Sequence, residues 1–429
     1  MSITTHSQAF TLVRLAATLV ALYFHAGSAL AAEPLTSAER LRQFMEQVKP
    51  QPSASQAGGQ AVREAVAVSP ARLQERAELL KTGESALARL DVTAALDSFE
   101  RATTILHAAD TEIALVRAYM QGGEYRRALA FGAHTAGAHL DVIGGAVLYA
   151  WLLHMGGQTV IAQRLQAASE SRMPGNATVA AVQQQLQSGK PVATGQLLAP
   201  PTRLAPYGDA KGLPDAARVV GTALLLQSGT GALIPLALLP RSGKLWLRNG
   251  LGQLVKAKVD KRFNDVKVAL VRLDGPLPTP DDLQIAPGDA FPGSAGFAVE
   301  YVSTPDAAPA WPVLRTGFLG AATGDAGERL LGIDMPVGPR GGPVFDGAGR
   351  LIGLALPGSS GPSGATAAAA GDDRLVPVSL LRKALSAALP SEQLTAQDAP
   401  NPAGPRPRGL VDKVYEASLK ASLQVITAP

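Results

Sequence analysis

The stretch "IDMPVGPRGGPVFDGAGRLIGLAL", residues 333–356, places a glycine-rich turn between two apolar runs. Short apolar runs bounded by glycine and proline are typical of β-strands, so this segment predicts a strand, a tight turn and a second strand. Gly338, Gly341, Gly342 and Pro343 are residue types found where a backbone turns sharply. Backbone N–H groups in such a turn can point together at a peptide carbonyl oxygen.

Further short β-rich runs lie on both sides of this stretch, after about residue 216. They alternate with turn residues, which indicates an antiparallel barrel or sandwich. The runs are "ARVVGTALLL", "GKLWLRN", "QLVKAKVD", "VKVALVRLD", "AGFAVEYV" and "LLGIDMPV".

Four landmarks in this region follow one another in the order of a known family. They are "GTALLLQSGTGALIPLALL", "VKVALVRLD", "GPRGGPVFDGAGRLIGLAL" and "DRLVPVSLLRKAL". Over roughly residues 200–390 the chain resembles the trypsin-like double barrel, particularly the periplasmic high-temperature-requirement serine proteases. The resemblance implies that the first three landmarks stand where the family carries its catalytic histidine, aspartate and serine.

All three catalytic positions of the family are changed in this chain. The serine falls on Arg340, the aspartate on Lys267, and the histidine on or near Ala237. A serine hydroxyl needs an imidazole base and a carboxylate that orients it, and no histidine follows His154. A Ser-His-Asp triad therefore cannot form within the β region. A Ser-Lys dyad remains open, although the serines of that region lie in a stretch typical of a low-complexity loop, namely Ser359, Ser360 and Ser363.

Arg340 has two interpretations. With Gly338 and Gly341 it can form a former oxyanion turn that holds a carboxylate through a charge-assisted hydrogen bond. Alternatively it is a surface arginine on an ordinary β-turn, paired with Asp334 or Asp346.

Residues 71–186 have a helical pattern with a repeat. The motif Gly122-Gly123 followed by Ala128 recurs as Gly156-Gly157 followed by Ala162, a shift of 34 residues from 122 to 156. That period is typical of tetratricopeptide helix pairs, in which a small residue permits a close helix crossing. An ordinary helical bundle with chance spacing is the alternative. The predicted packing residues are Ala95, Phe99, Tyr119, Gly123, Ala128, Gly157 and Ala162.

The amino-terminal segment predicts export. Arg14 precedes the apolar run "LAATLVALYF", and small residues follow it. This run is shorter than the about 20 residues of a membrane span, so it indicates a cleaved secretory signal peptide rather than an uncleaved anchor. We expect the protein in the periplasm or beyond, with no membrane span after cleavage.

The composition limits the remaining functions. Its 39 basic and 35 acidic residues give a net charge of +4 and are scattered, which argues against nucleic acid as a partner. The absence of cysteine excludes disulfides and thiolate metal sites. His134 and His139 are five apart on a predicted helix and should face different ways, so no metal and no cofactor is expected.

Together these patterns predict a multidomain α plus β protein, with an α-solenoid of tetratricopeptide-like helix pairs before an all-β trypsin-like double barrel. We expect a non-catalytic, protein-binding scaffold or adaptor whose partner is another protein or peptide of the envelope. The alternative is a peptidase of the trypsin-like fold with a Ser-Lys arrangement. The predicted divisions are a signal peptide (1–31), a linker (32–70), helical repeats (71–190), a Pro/Gly-rich linker (191–215), the barrel (216–390) and a Pro-rich tail with a short amphipathic segment (391–429).

Overall fold

The computed structural model describes residues 68–192, 195–281, 283–323, 327–333, 341–356, 373–386, 388 and 411–429. All of them belong to one unit, Val62–Pro429. The predicted signal peptide and most of the first linker lie outside the described residues. Among the helices that are described, none is both long and apolar enough to cross a membrane.

The helical region packs as successive antiparallel pairs. Three pairs, α1 with α2, α3 with α4 and α5 with α6, are each joined by a short turn, and α7 packs against the last pair. The helices are α1 Pro70–Ala88, α2 Val92–Ile105, α3 Ala109–Gln121, α4 Tyr125–Ala138, α5 Ile143–Met155, α6 Thr159–Arg172 and α7 Ala177–Ser188.

The second helix of each pair carries a fully buried alanine. Ala95 on α2, Ala128 on α4 and Ala162 on α6 have no exposed surface, and Phe99 is equally buried. A Cβ added at Gly83 on α1 would lie 2.3 Å from the Phe99 ring, so α1 and α2 approach closely. Small side chains at these positions are therefore a packing requirement.

The glycine pairs after α3 and α5 have two structural roles. Gly123 and Gly157 adopt positive φ values of 79° and 82°, which end the helices in the left-handed conformation. Both also touch the β region, since an added Cβ would lie 2.9 Å from Leu251 and 2.7 Å from Leu314 respectively. The glycines that make the turns thus also allow the helices to dock on the strands.

The β region begins with a closed six-stranded barrel in the order β1-β13-β3-β4-β5-β2. Alternate apolar side chains, among them Ala223, Leu247 and Val271, fill its interior. The strands are β1 Arg218–Leu225, β2 Gly231–Pro235, β3 Lys244–Asn249, β4 Leu254–Phe263, β5 Val268–Leu273 and β13 Ser422–Ala428.

A seven-stranded antiparallel sheet follows in the order β7-β6-β10-β11-β12-β9-β8. With the barrel it completes an α plus β protein in which helices precede an all-β region, as predicted. The strands are β6 Ala295–Glu300, β7 Val313–Phe318, β8 Ala322–Thr323, β9 Glu328–Leu330, β10 Pro343–Asp346, β11 Leu351–Leu356 and β12 Arg374–Pro377; α8 Val378–Leu385 comes next.

The carboxyl-terminal segment is part of the barrel. After α9, Val411–Ala421, the chain forms β13 between β1 and β3, with Val425 in register with Gly221 and Leu247. The predicted barrel range of 216–390 omits this strand, which falls in the segment predicted as a Pro-rich tail with a short amphipathic segment (391–429). The reason is non-local: the two strands that β13 pairs with lie far upstream, beyond any sequence window.

The segment predicted as a Pro/Gly-rich linker packs against the helices. Trp151 on α5 donates its indole N–H to the Leu204 carbonyl at 2.8 Å. On α3, the Gln121 amide both donates to the Tyr207 carbonyl at 3.1 Å and accepts from its N–H at 2.8 Å. One hydrophobic cluster includes residues of the helices, of this segment and of the strands, so the helical and β regions share a core.

Candidate functional site

Two of the three residues that the sequence pattern predicts at catalytic positions lie side by side. Ala237 is exposed in the short 3₁₀ turn Leu236–Leu238 that follows β2, and Lys267 directly precedes β5. Pro235 pairs with Val268, and the Leu236 N–H donates to the Lys267 carbonyl at 2.8 Å. The first two landmarks therefore meet at one end of the barrel.

The glycine-rich turn comes to the same end. Gly341 forms a bridge with Thr222 on β1, and a Cβ added to it would lie 2.2 Å from the Thr222 carbonyl oxygen and 2.8 Å from Pro235. Gly341 and Gly342 have φ values of 89° and 109°, which disfavour any side chain. Outside the described residues are the predicted site residues Gly338 and Arg340, together with Asp334, Ser359, Ser360 and Ser363.

The side chains described at this place do not form a proton-transfer pair. Ala237 has no titratable group, and the exposed Lys267 ammonium lies 3.1 Å from a Glu328 carboxylate oxygen. Asp346, predicted as a partner of Arg340, instead accepts two hydrogen bonds from the Arg350 guanidinium at 2.6 and 2.8 Å. Lys267 and Glu328 form an ion pair between the barrel and the seven-stranded sheet. Such a pair is a structural contact and not a proton-transfer site.

Comparisons with known proteins assign the chain to no family. No protein-family model matches the chain, and no curated protein matches it. Among solved structures, the crystal structure of the MamO protease domain from Magnetospirillum magneticum, in its apo form, is similar. The match has 17% sequence identity and a TM-score of 0.29, and it covers 40% of this chain and 96% of that chain. What the β region does must therefore follow from its own side chains.

His154 is a buried histidine between the helical and β regions. Its ring stacks on Trp151 with the centroids 5.5 Å apart, and its Nδ1 lies 3.4 Å from the Thr159 hydroxyl. Burial, and secondarily the positive charge of Arg315, lower the pKa of His154 from 6.5 to about 4. A neutral imidazole in such a place is a packing residue.

A second group of polar side chains surrounds Glu112, in the first turn of α3. The Glu112 side chain is fully buried, and three histidine Nε2 atoms approach its carboxylate. His107 lies 2.5 Å from Oε1, His134 lies 3.6 Å from Oε1, and His139 lies 3.3 Å from Oε2. The structure thus brings together four potential metal-ligating residues, which the sequence pattern did not place near one another.

The expectation that His134 and His139 face different ways assumed one continuous helix. Instead α4 ends at Ala138, and His139 has the non-helical angles φ −117° and ψ 66°, which turn its side chain back to the carboxylate. In an antiparallel pair, moreover, the start of α3 and the end of α4 meet. The signal in the sequence was one His/Glu pair and one His/His pair, each with its two members five residues apart, near helix ends that a hairpin brings together.

Proposed function

We propose that this protein is an exported, non-catalytic scaffold or adaptor that binds another protein or peptide of the bacterial envelope. In this proposal the helical region consists of tetratricopeptide-like repeats, and the trypsin-like region is an inactive protease homologue. Export is inferred from the amino-terminal apolar run and its small-residue cleavage site.

The observation that carries the proposal is the chemistry of the triad-matching positions. By the resemblance, Ala237 and Lys267 correspond to the family's base and to the residue that orients it. Neither can do that work, because alanine cannot accept a proton and the lysine is paired with Glu328. No histidine exists after His154 to replace the base. A β region without these proton-transfer groups favours a binding role over catalysis.

The face of α3 and α5 that the linker segment covers is unavailable to a partner, so binding must use another surface. Phe291 and Phe318 have the most exposed large apolar side chains in the described part of the chain, at 82% and 67%. The two phenylalanines lie near each other. The Ser294 N–H donates to the Phe291 carbonyl at 3.1 Å, and the next residue, Ala295, pairs with Phe318. Neighbouring exposed aromatics are typical of protein-binding surfaces, and we assign the partner surface to this pair.

The first experiment separates scaffold from peptidase. The purified protein is incubated with unfolded casein, with and without a serine-directed covalent inhibitor, beside an active trypsin-like protease as control. We expect no hydrolysis, and none after Arg340→Ser, because a nucleophile without a base gains nothing. Inhibitor-sensitive hydrolysis with labelling of Ser359, Ser360 or Ser363 would instead establish the Ser-Lys peptidase.

The second experiment tests the binding surface. The wild type, a Phe291→Ser/Phe318→Ser double variant and a Val160→Ser variant are each used to capture proteins from an envelope extract. Val160 is the control because it is also exposed, at 61%, but belongs to α6 of the helical region and not to the strand and loop that carry the two phenylalanines. We expect a specific partner that the double variant loses and the control keeps. A wild type that retains no specific protein would contradict the scaffold function, and equal retention by all three would contradict the assigned surface.

A further inference from the structure

We propose that His107, His134 and Glu112 bind a divalent transition-metal ion of the Zn²⁺ class, and that His139 orients the carboxylate. One ligand atom from each of the first three residues lies within 4.8 Å of the other two. The inference concerns the helical region alone and is independent of the scaffold function.

The burial of Glu112 is the first argument. A carboxylate that is removed from water needs compensation, either from hydrogen bonds or from a cation. Neither Glu112 oxygen has a hydrogen-bond partner among the described residues, and the same holds for the buried Nε2 of His139. The imidazole nitrogens of His107 and His134 face Glu112 Oε1 without a hydrogen bond to it, and a bound cation would satisfy this oxygen and both imidazoles at once.

The distances form the second argument. Ligand atoms about 2.0–2.2 Å from a tetrahedral Zn²⁺ lie about 3.3–3.6 Å from one another. The His134 Nε2 to Glu112 Oε1 distance of 3.6 Å falls in this range. His107 is nearer, at 2.5 Å, and must move outward by about 1 Å to admit the ion. It can do so because its side chain is 57% exposed and it lies in the connection between α2 and α3.

The donor atoms decide the class of ion. Two imidazole nitrogens and one carboxylate oxygen suit Zn²⁺, Co²⁺ and related transition ions, whereas Mg²⁺ and Ca²⁺ prefer oxygen alone. The Nε2 of His139 lies 3.3 Å from Oε2, so a hydrogen bond formed there when the ion binds Oε1 would position the ligating carboxylate. The half-exposed rings of His107 and His134 leave the fourth position open to solvent.

Such an ion would join three consecutive elements of the helical stack. His107 precedes α3, Glu112 lies in the first turn of α3, and His134 lies four residues before the end of α4. Binding should therefore stabilise the helical region, because an ion that binds only the folded chain shifts the unfolding equilibrium.

The test is a calorimetric titration with ZnCl₂. The tag-free protein is first stripped of metal with a chelator. We expect one site with a Kd of about 1 µM or tighter that excess Mg²⁺ does not compete for. His107→Ala and His134→Ala should each weaken binding at least about tenfold, and His139→Ala by about 10–100-fold. The exposed carboxylate of Asp141 lies near His139 in the chain without contacting this group, so Asp141→Asn is the matched control and should bind as the wild type does.

Two further readouts keep the outcome clear. Far-UV circular dichroism checks that each variant is folded, and the visible bands of four-coordinate Co²⁺ should appear in the wild type and disappear in His134→Ala. Absence of Zn²⁺ binding by the folded wild type would overturn the proposal. So would binding that a His107→Ala/His134→Ala double variant retains in full, since the ion would then be held elsewhere. Unchanged affinity in His139→Ala would overturn the positioning role of His139.

Discussion

Replacement of Val425 by alanine tests the placement of the carboxyl-terminal strand. Val425 lies in the middle of β13, between Gly221 on β1 and Leu247 on β3, and its side chain is fully buried in the barrel interior. Because the side chain does not reach the surface, solvent cannot fill the space that the lost methyl groups leave. If β13 closes the barrel, the substitution must leave a cavity in its core.

The magnitude follows from the groups removed. Valine to alanine deletes two methyl groups from a dry interior, which costs about 1.6 kcal/mol in transfer free energy. The unfilled cavity adds to this, for a total loss of about 2–3 kcal/mol in the free energy of unfolding. Val259→Ala on β4 is the matched control, because Val259 belongs to the same barrel but is 40% exposed. We expect the control to lose about 0.5 kcal/mol or less.

Equilibrium urea unfolding measures both variants. Trp246 on β3 is a natural reporter for fluorescence, since it is buried and stands in register with Ile426 on β13. A midpoint that falls with an unchanged slope would show a change in stability alone. If Val425→Ala loses no more stability than Val259→Ala, β13 does not line the barrel core and the strand order given above is wrong.

Three other predictions concern the helical region. Ala128→Leu should lower the free energy of unfolding by about 1–3 kcal/mol in urea unfolding, because it overpacks a buried crossing, whereas Ala130→Leu on the exposed face of the same helix should change little. His154 has its pKa lowered from 6.5 to about 4, so its contribution to stability is present above pH 6.5 and is lost as the pH falls towards 4. The wild type should therefore lose roughly 3 kcal/mol of stability between pH 6.5 and pH 4 through this group, and His154→Gln should not show that part of the loss. Urea unfolding at each pH measures the difference, and an unchanged pH profile in the variant would refute the assignment. In metal-free protein at pH 8, Glu112→Gln should raise the melting temperature, because it removes a buried charge without hydrogen bonds, and added Zn²⁺ should raise the melting temperature of the wild type only; a lower metal-free value would contradict this.

Local features were readable in the sequence because they depend on neighbouring residues. The glycine pairs ending in Gly123 and Gly157 predicted the turns between helices, since a left-handed residue at a helix end is almost always glycine. Alternating apolar runs predicted the strands of the β region. The glycines at 341 and 342 predicted a sharply turning backbone, and both have positive φ values. In each case the information needed lies within a few residues of the feature.

Contacts between distant residues were decided only by the tertiary structure. The run "SLQVITA" at 422–428 has the composition of a strand, yet nothing near it specifies that it pairs with β1 and β3, about 170–200 residues upstream. The meeting of His107, Glu112, His134 and His139 depends on where α4 ends and on how α3 and α4 pack as a hairpin. The juxtaposition of Ala237 with Lys267 likewise depends on the pairing of β2 with β5. Such contacts are selected by the burial of the whole core, which no single stretch of sequence contains.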